Sequence, residues 1–402
     1  MVRSSAPVFS PQTLRSSPRA FSPQPSTASK TWEISASLPI SYVVQLCSDV
    51  LNPANLALAN AGADGGRDSH RRFVVIDHVV GELYGSRIRR YFDVHGIEAR
   101  FVTFDACEEY KTIDTVLELV EQLDEFAIDR RREPLIAIGG GVLSDIVGLL
   151  ASMYRRSTPY VRVPTTLMGL VDAGVGIKTG VNHDGHKNRL GSFHAPVHAL
   201  LDPCFLGTLD RRHISNGLAE ILKIALVCDE RLFELLVDHG PQLRRSRFRS
   251  PALREVSGEV LIRAIQGMLE QLEPNMWERD LERLVDYGHT FSPTIEMRAL
   301  PELLHGEAVA IDMAITTMVA WRRGMLTGDQ CDRVLSVTRS LGLPTWHDVC
   351  GPDLLMDSLH ETTRHRDGLQ RIPLQDGMGA ATFVNDVSAA ELTQACDDLR
   401  AG

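Results

Sequence analysis

The sequence predicts an α/β N-terminal region followed by a helical C-terminal region. Three observations carry this reading. Between about residues 32 and 208, short β-branched runs alternate with helical stretches. After about 209 the strand-like runs give way to long apolar patterns at helical spacing. A buried strand, "PLIAIGGG", runs into three glycines just ahead of a helical stretch, which is the chain order of a parallel α/β unit.

In chain order, residues 1–31 are rich in Ser and Pro, contain no acid and show no hydrophobic periodicity, so they are expected to be disordered. An acid-free start bearing arginines also fits an organelle transit peptide, but its prolines oppose the amphipathic helix such peptides form. "RFVVID" and "ARFVTFD" read as strands, "TIDTVLELVEQLDEF" as an amphipathic helix, and "GADGGRDSH" (62–70) as a surface loop or small insertion. The helical half is built from "ISNGLAEILKIALVCDERLFELLVDHG", "SPALREVSGEVLIRAIQGMLEQL", "HGEAVAIDMAITTMVAWRRGML" and "DQCDRVLSVTRSLG". The expected domains are thus 32–208 and 209–402, behind a tail of 1–31.

At 402 residues and 44% hydrophobic, the chain has apolar material for a large core. Its formal charge of -10 excludes the broad basic field that nucleic acid or an anionic membrane surface would need. An anionic ligand must therefore be met by a local cationic cluster. The seven cysteines (Cys47, Cys107, Cys204, Cys228, Cys331, Cys350, Cys396) form no CxxC pair, which argues against a disulfide framework or a thiolate zinc site and fits a reducing cytoplasm. Apolar runs such as "AVAIDMAITTMVAW" contain a charge and fall short of the roughly 20 residues that span a bilayer.

Gly139, Gly140 and Gly141 follow the buried strand, and Ser144 and Asp145 open the next helix. Glycines there let backbone amides approach a pyrophosphate at the positive end of the helix dipole. A plain tight turn fits equally well, and the run is not a GxGxxG fingerprint. The segment that follows carries Arg155, Arg156, Lys178, Lys187, Asn188 and Arg189, a candidate anion cluster whose alternative is a solvated basic surface. Lys178 and Lys187 read as residues of glycine-bearing loops.

Glu220, His289 and His305 supply one carboxylate and two imidazoles, a set suited to a catalytic zinc with a position open for substrate oxygen. Each histidine alone reads as an ordinary buried or surface residue. Lys223 sharpens the pattern: it shares a helix face with Glu220, and an otherwise apolar helix has little reason to bury both. His183, His186 and His194 are candidate substrate contacts, although a loop position accounts for them too.

The segments "GGGVLSD", "VPTTLMGLVDAGVGIKTGVNHDGHKN", "NGLAEILK", "YGHTF" and "LHGEAVAIDM", in that order, resemble dehydroquinate synthase and the wider sugar phosphate cyclases over residues 70–390. The resemblance implies an α/β N-terminal NAD-binding domain, an all-helical C-terminal metal-binding domain, an active site between them, and a homodimer. It implies Glu220, His289 and His305 as ligands of zinc, with cobalt as an alternative metal. For NAD it implies Asp77, Glu108, Lys111, Gly140, Gly141, Val142 and Asp145, then Thr165, Thr166, Lys178, Lys187, Phe205 and Thr208. For catalysis and the substrate's phosphate it implies Asp172, Lys178, Asn188 and Lys223, with Arg156 lent to a neighbouring subunit.

Departures from that family narrow the expectation. Dehydroquinate synthase reads "NFGHTFGHAIE"; here Asp286 stands for the asparagine and Pro293 for the second histidine. Glu282, counted with the candidate catalytic residues, stands for an arginine suited to a substrate carboxylate, and like charges there disfavour a carboxylated substrate. "RHRDGLQR" lacks that family's paired lysines, leaving Arg364 or Arg366 as replacement cations. "YRRSTPY", "GHKNRLG", "FHAP" and "GHTFSP" are similar to the 2-epi-5-epi-valiolone synthases, which act on sedoheptulose 7-phosphate and release phosphate. Sister cyclases making desmethyl-4-deoxygadusol or 2-epi-valiolone, then dehydroquinate synthase or a metal-dependent polyol dehydrogenase, are the alternatives.

Overall fold

The computed structural model describes residues 31–62 and 70–401. Two segments discussed above, the Ser/Pro-rich start and the loop at 62–70, lie almost wholly outside the described residues. The chain divides into two units, Met1–Pro39 and Ile40–Gly402. The described part of the first has no regular element and exposed side chains, and the second carries every helix and strand.

The N-terminal half of the second unit is a six-stranded parallel sheet in the order β1-β8-β5-β4-β2-β3. Its strands are β1 (Val43–Leu46), β2 (Arg71–Asp77), β3 (Glu98–Phe104), β4 (Leu135–Gly139), β5 (Tyr160–Pro164) and β8 (His198–Leu201). All residues of β4 and β5 are buried, which is why they read as unbroken apolar runs and not as alternation. The short helix α1 (Ala57–Asn60) and α2 (His78–Val94) cover one face, while α3 (Ile113–Phe126) and α4 (Gly141–Met153) cover the other.

The chain runs from β2 outward to β3, then returns across β2 to β4. Connections on either side of β2 thus leave on opposite faces, and the C-terminal ends of β2 and β4 border a crevice of the kind in which open α/β sheets bind ligands. Asp77 ends β2 and Gly139 ends β4.

Between β5 and β8 the chain makes one π-helical turn (Gly169–Ala173), then an antiparallel hairpin of β6 (Lys178–His183) and β7 (His186–Phe193). Lys178 and Lys187 therefore sit on strands, not in loops. Glycines at 180 and 191 oppose each other in that ladder, with little side-chain bulk to mark it as strand.

The C-terminal half contains α5 (Arg211–Cys228), α6 (Glu230–Ser246), α7 (Arg254–Leu272), α8 (Ser292–Arg298), α9 (His305–Arg322), α10 (Gly328–Ser340), α11 (Pro352–His365) and α12 (Ala389–Ala401). Asp229 ends α5 in an extended conformation and caps α6 by accepting from the Leu232 amide, which splits the long helical pattern in two. From 306 to 320 every residue of α9 is buried, so its apolar character runs all round, as in a central core helix.

The departure from an all-helical domain is the two-stranded ribbon of β9 (Ile372–Gln375) and β10 (Ala381–Val384). Strands of four residues are too short for their period to stand out in sequence. The ribbon fills the core through Gln375, which accepts from the Tyr287 hydroxyl (2.9 Å) and the Thr317 hydroxyl (2.7 Å). Among the described residues, no helix is long and apolar enough to cross a membrane.

Candidate active site

Helix α5 starts at an Asp210 cap, whose carboxylate accepts from the Arg212 amide. It is buried from Leu218 to Val227. Glu220 and Lys223 lie one turn apart in this stretch, 1% and 2% exposed, and form an ion pair. Lys223 takes Oε2 of Glu220, while the buried Oε1 has no hydrogen-bond donor, which suits it to an electrophile. Burial opposes the Lys223 charge, but Glu220, Asp172 and Asp286 outweigh it and raise the ammonium's pKa.

Two close approaches bring the histidines to Glu220. A Cβ on Gly306 would lie 2.0 Å from the Asn216 carbonyl oxygen, and its amide donates to Asn216 Oδ1 at 2.5 Å, so α9 docks its first turn directly on α5. Gly288, at φ +73°, lies where a Cβ would come within 2.8 Å of Met313. These contacts explain why each histidine sits beside a glycine. Nε2 of His289 lies 3.8 Å and Nε2 of His305 lies 3.6 Å from Glu220 Oε1. The three residues each present a ligand atom, all within 4.8 Å of one another.

The far nitrogens determine which tautomer faces Glu220. His289 Nδ1 lies 3.1 Å from the Tyr287 carbonyl, which can only accept, so Nδ1 carries the proton and Nε2 the lone pair. His305 Nδ1 lies 2.8 Å from Glu296 Oε2. Burial opposes the Glu296 charge, but Lys187, 2.5 Å away, holds the carboxyl far below its ordinary range, and an ionised carboxylate likewise requires Nδ1–H. Burial, reinforced by Lys223 and His305, holds the His289 imidazole neutral. This donor set suits a divalent metal: a carboxylate oxygen and two imidazole lone pairs converge.

The crevice between β2 and β4 holds many of the residues that the resemblance implied for NAD. Asp77 caps α2 through the Val80 amide at 3.2 Å, and Gly140 caps α4. Val142 lies in the first turn of α4, where the buried Ser144 hydroxyl has no partner. The Lys111 ammonium, 3% exposed, donates to Asp145 (2.6 Å) and Asn188 (2.7 Å). Burial opposes the Glu108 charge, yet Lys187 and Lys111 lower its pKa, and Asn182 donates to it at 2.9 Å. Thr165 donates its amide to Gly139, and the Thr166 hydroxyl caps the π-helical turn through Gly169. Phe205 packs edge-on against Tyr84, whose hydroxyl meets Thr208 at 2.8 Å. A glycine turn, an uncovered helix start and an orphaned hydroxyl there suit a pyrophosphate.

The expected anion cluster does not gather as one patch. Lys178 pairs with Glu278 (2.7 Å), Lys187 with Glu296, and Arg189 with Glu361 (2.9 Å), while Asn188 faces Lys111. Arg155 and Arg156 are exposed on a left-handed turn after α4. The reason is electrostatic: each basic group of the hairpin finds an acid on the helical half. His183 is exposed, His186 lies 3.8 Å from Glu361, and His194 stacks on Tyr160 beside the Thr158 carbonyl, which is a packing role.

Glu282 is exposed, and the ion pairs run through its neighbour Arg283, which bridges Glu278 (2.8 Å) and Asp286 (3.0 Å). Arg366, 8% exposed, reaches Asp286 at 3.3 Å, whereas Arg364 is exposed. Burial opposes the Asp286 charge, but Arg283, Arg366 and Lys178 lower its pKa. Sequence reasoning missed Glu278, Arg283 and Glu296. Only Glu296 had a signal nearby: it closes the "GHTFSPTIE" run that begins beside His289, and on α8 it reaches His305.

Models of two families match consecutive parts of the chain: 3-dehydroquinate synthase N-terminal over residues 101–216 and 3-dehydroquinate synthase C-terminal over 217–365. A 2-epi-5-epi-valiolone synthase from Actinomyces sp. is 57% identical over 92% of this chain and 97% of its own length. A demethyl-4-deoxygadusol synthase from Trichormus variabilis is 39% identical over 89% of this chain and 87% of its own. The solved structure of ValA, a 2-epi-5-epi-valiolone synthase from Streptomyces hygroscopicus subsp. jinggangensis 5008 with NAD+ and Zn2+ bound, superposes with a TM-score of 0.88 at 51% identity, covering 92% of this chain and 99% of that one.

Proposed function

Because the chain belongs to the 3-dehydroquinate synthase family, we propose that it is a sugar phosphate cyclase converting sedoheptulose 7-phosphate to 2-epi-5-epi-valiolone with release of phosphate. The observation that carries the reading is the convergence of Glu220, His289 and His305 beside Lys223, linked through Lys187 to the nucleotide crevice. The greater identity to relatives named for this product than to the deoxygadusol relative favours it over the sister cyclases.

In this reading Glu220, His289 and His305 hold zinc, or cobalt, which when bound polarises vicinal hydroxyls of the sugar. NAD, in the crevice of Asp77, Gly140, Gly141 and Lys111, takes up and returns one hydride. Substrate and products differ only by phosphoric acid, so no net oxidation occurs and the cofactor is recycled. The reaction is a carbon–oxygen elimination followed by ring closure, the work of a lyase.

The chain's own groups bind and orient. Lys223, paired with Glu220 on α5, is placed to orient a substrate hydroxyl or relay its proton. Lys178, on the exposed lip of the hairpin, is available to the leaving phosphate once Glu278 is displaced, with Asn188 nearby on the same ribbon. Exposed Arg156 fits the role of a residue lent to a second subunit, and the enzyme then works as a homodimer. Seven unpaired cysteines fit a reducing cytoplasm.

The test is incubation with sedoheptulose 7-phosphate, NAD and zinc, following phosphate release and identifying the product by NMR. Phosphate release with 2-epi-5-epi-valiolone is expected. Sustained NADH accumulation without phosphate release would instead identify a polyol dehydrogenase.

A further inference from the structure

The largest of the fully buried side chains is an arginine. Arg162 lies at the middle of the central strand β5, paired in register with Ala137 on one side and Ala199 on the other, and is 0% exposed. Among the described residues no carboxylate lies within ion-pair distance of it. A buried guanidinium without an acid is costly unless its donors are otherwise satisfied.

Its donors converge on one segment. Nη1 donates to the carbonyls of Ala173 (3.0 Å) and Gly176 (2.7 Å), and Nη2 to that of Lys178 (3.2 Å). Nε is buried with no acceptor, so the guanidinium is committed to this face alone. Tyr42 adds a bond from its hydroxyl to the Val175 carbonyl at 2.7 Å, and the Tyr160 ring lies under the guanidinium at 5.3 Å.

The segment so held begins at Asp172, in the π-helical turn, and ends at Lys178, where the hairpin starts. The turn that bears Asp172 packs against α5, the helix of Glu220 and Lys223, and Lys178 is the cation that meets Glu278. Single π-helical turns are rare and frequently lie at functional sites. We infer that Arg162 is a positioning residue: its fork fixes the backbone between Asp172 and Lys178 so that both side chains face the cyclisation site. The inference rests on the proposed function only for what those side chains do, not for the clamp itself.

The guanidinium's planar fork reaches three carbonyls at once, which an ammonium at the same depth does not reproduce. Arg162→Lys keeps the charge and Arg162→Met removes it, both in the full chain. The amides of Gly174 and Val175, hydrogen-bonded to Gly169 and Asp172, report the segment's order by hydrogen exchange. We expect their exchange to speed up at least 10-fold in both variants, with zinc stoichiometry unchanged. Turnover of sedoheptulose 7-phosphate should fall about 10- to 100-fold, mainly in kcat, because a displacement of about an ångström at a reacting group has that effect.

Wild-type protection at Gly174 and Val175 in a folded variant would overturn the inference, as would faster exchange with unchanged kcat. If Arg162→Met does not fold, Arg162→Lys decides. If the wild-type protein does not turn over the sugar phosphate at all, the proposed function falls, while the exchange measurement still decides whether Arg162 orders this segment.

Discussion

Glu220 and Lys223 form a buried ion pair one turn apart on α5, with Glu220 Oε1 facing the Nε2 atoms of His289 and His305. Removing one member of such a pair leaves an uncompensated buried charge. Glu220→Ala should therefore abolish zinc binding and also destabilise the metal-free protein by about 3–5 kcal/mol. Metal analysis and urea denaturation of the chelator-treated protein check this, and full zinc occupancy in a folded variant would contradict the assignment.

Glu296 fixes the proton of His305 on Nδ1 from 2.8 Å away and is itself held by Lys187. Glu296→Gln keeps the shape and removes the charge. Zinc affinity, measured by chelator competition without any assay of turnover, should fall about 10- to 100-fold. Unchanged affinity would mean that His305 is oriented by packing alone.

Glu278 and Asp286 already engage Lys178, Arg283 and Arg366, so these cations are not free for a substrate carboxylate. The purified protein is expected not to form dehydroquinate from its seven-carbon acid precursor. Detectable dehydroquinate would show that Arg283 or Arg366 releases its partner to bind a carboxylate.

Asp312, on α9 and 0% exposed, takes the Phe291 and Ser292 amides on Oδ2 while Oδ1 has no partner. Burial, opposed by these amides, pushes its carboxyl up to about 6. A carboxyl whose folded pKa is raised favours folding in its protonated form, so its contribution is complete below the unfolded value near 4 and is lost as pH rises toward 6. The loss is on the order of 2–3 kcal/mol. Asp312→Asn should remove this dependence while still accepting both amides. Urea denaturation of both proteins at acidic and neutral pH measures it: the variant's stability relative to wild type should be greater at neutral pH.

The divided α/β and helical plan was legible because its signals are local. "PLIAIGGG" is a fully buried strand, "TIDTVLELVEQLDEF" has a single apolar stripe, and the α5 sequence places Glu220 and Lys223 on one face. Glu220, His289 and His305 were legible as a carboxylate and two imidazoles, and the structure brings their ligand atoms within 4.8 Å of one another. What partners these groups take was not legible: Lys187 was read as a loop residue for the nucleotide, and it lies on β7 against Glu296 and His305.

By itself the sequence determined the buried strands of the N-terminal half, the long helices of the C-terminal half and the oddity of Glu220 and Lys223 on an apolar helix, because periodicity and the cost of burying charge are properties of the local chain. Tertiary structure alone decided that Arg283 and not Glu282 enters the charge network, that Glu296 orients His305, and that Arg162 spends its donors on the Asp172–Lys178 segment. Those pairings join residues far apart in sequence, such as Lys187 and Glu296. Their distances are set by how β5, β7, α5, α8 and α9 pack, which no local pattern encodes.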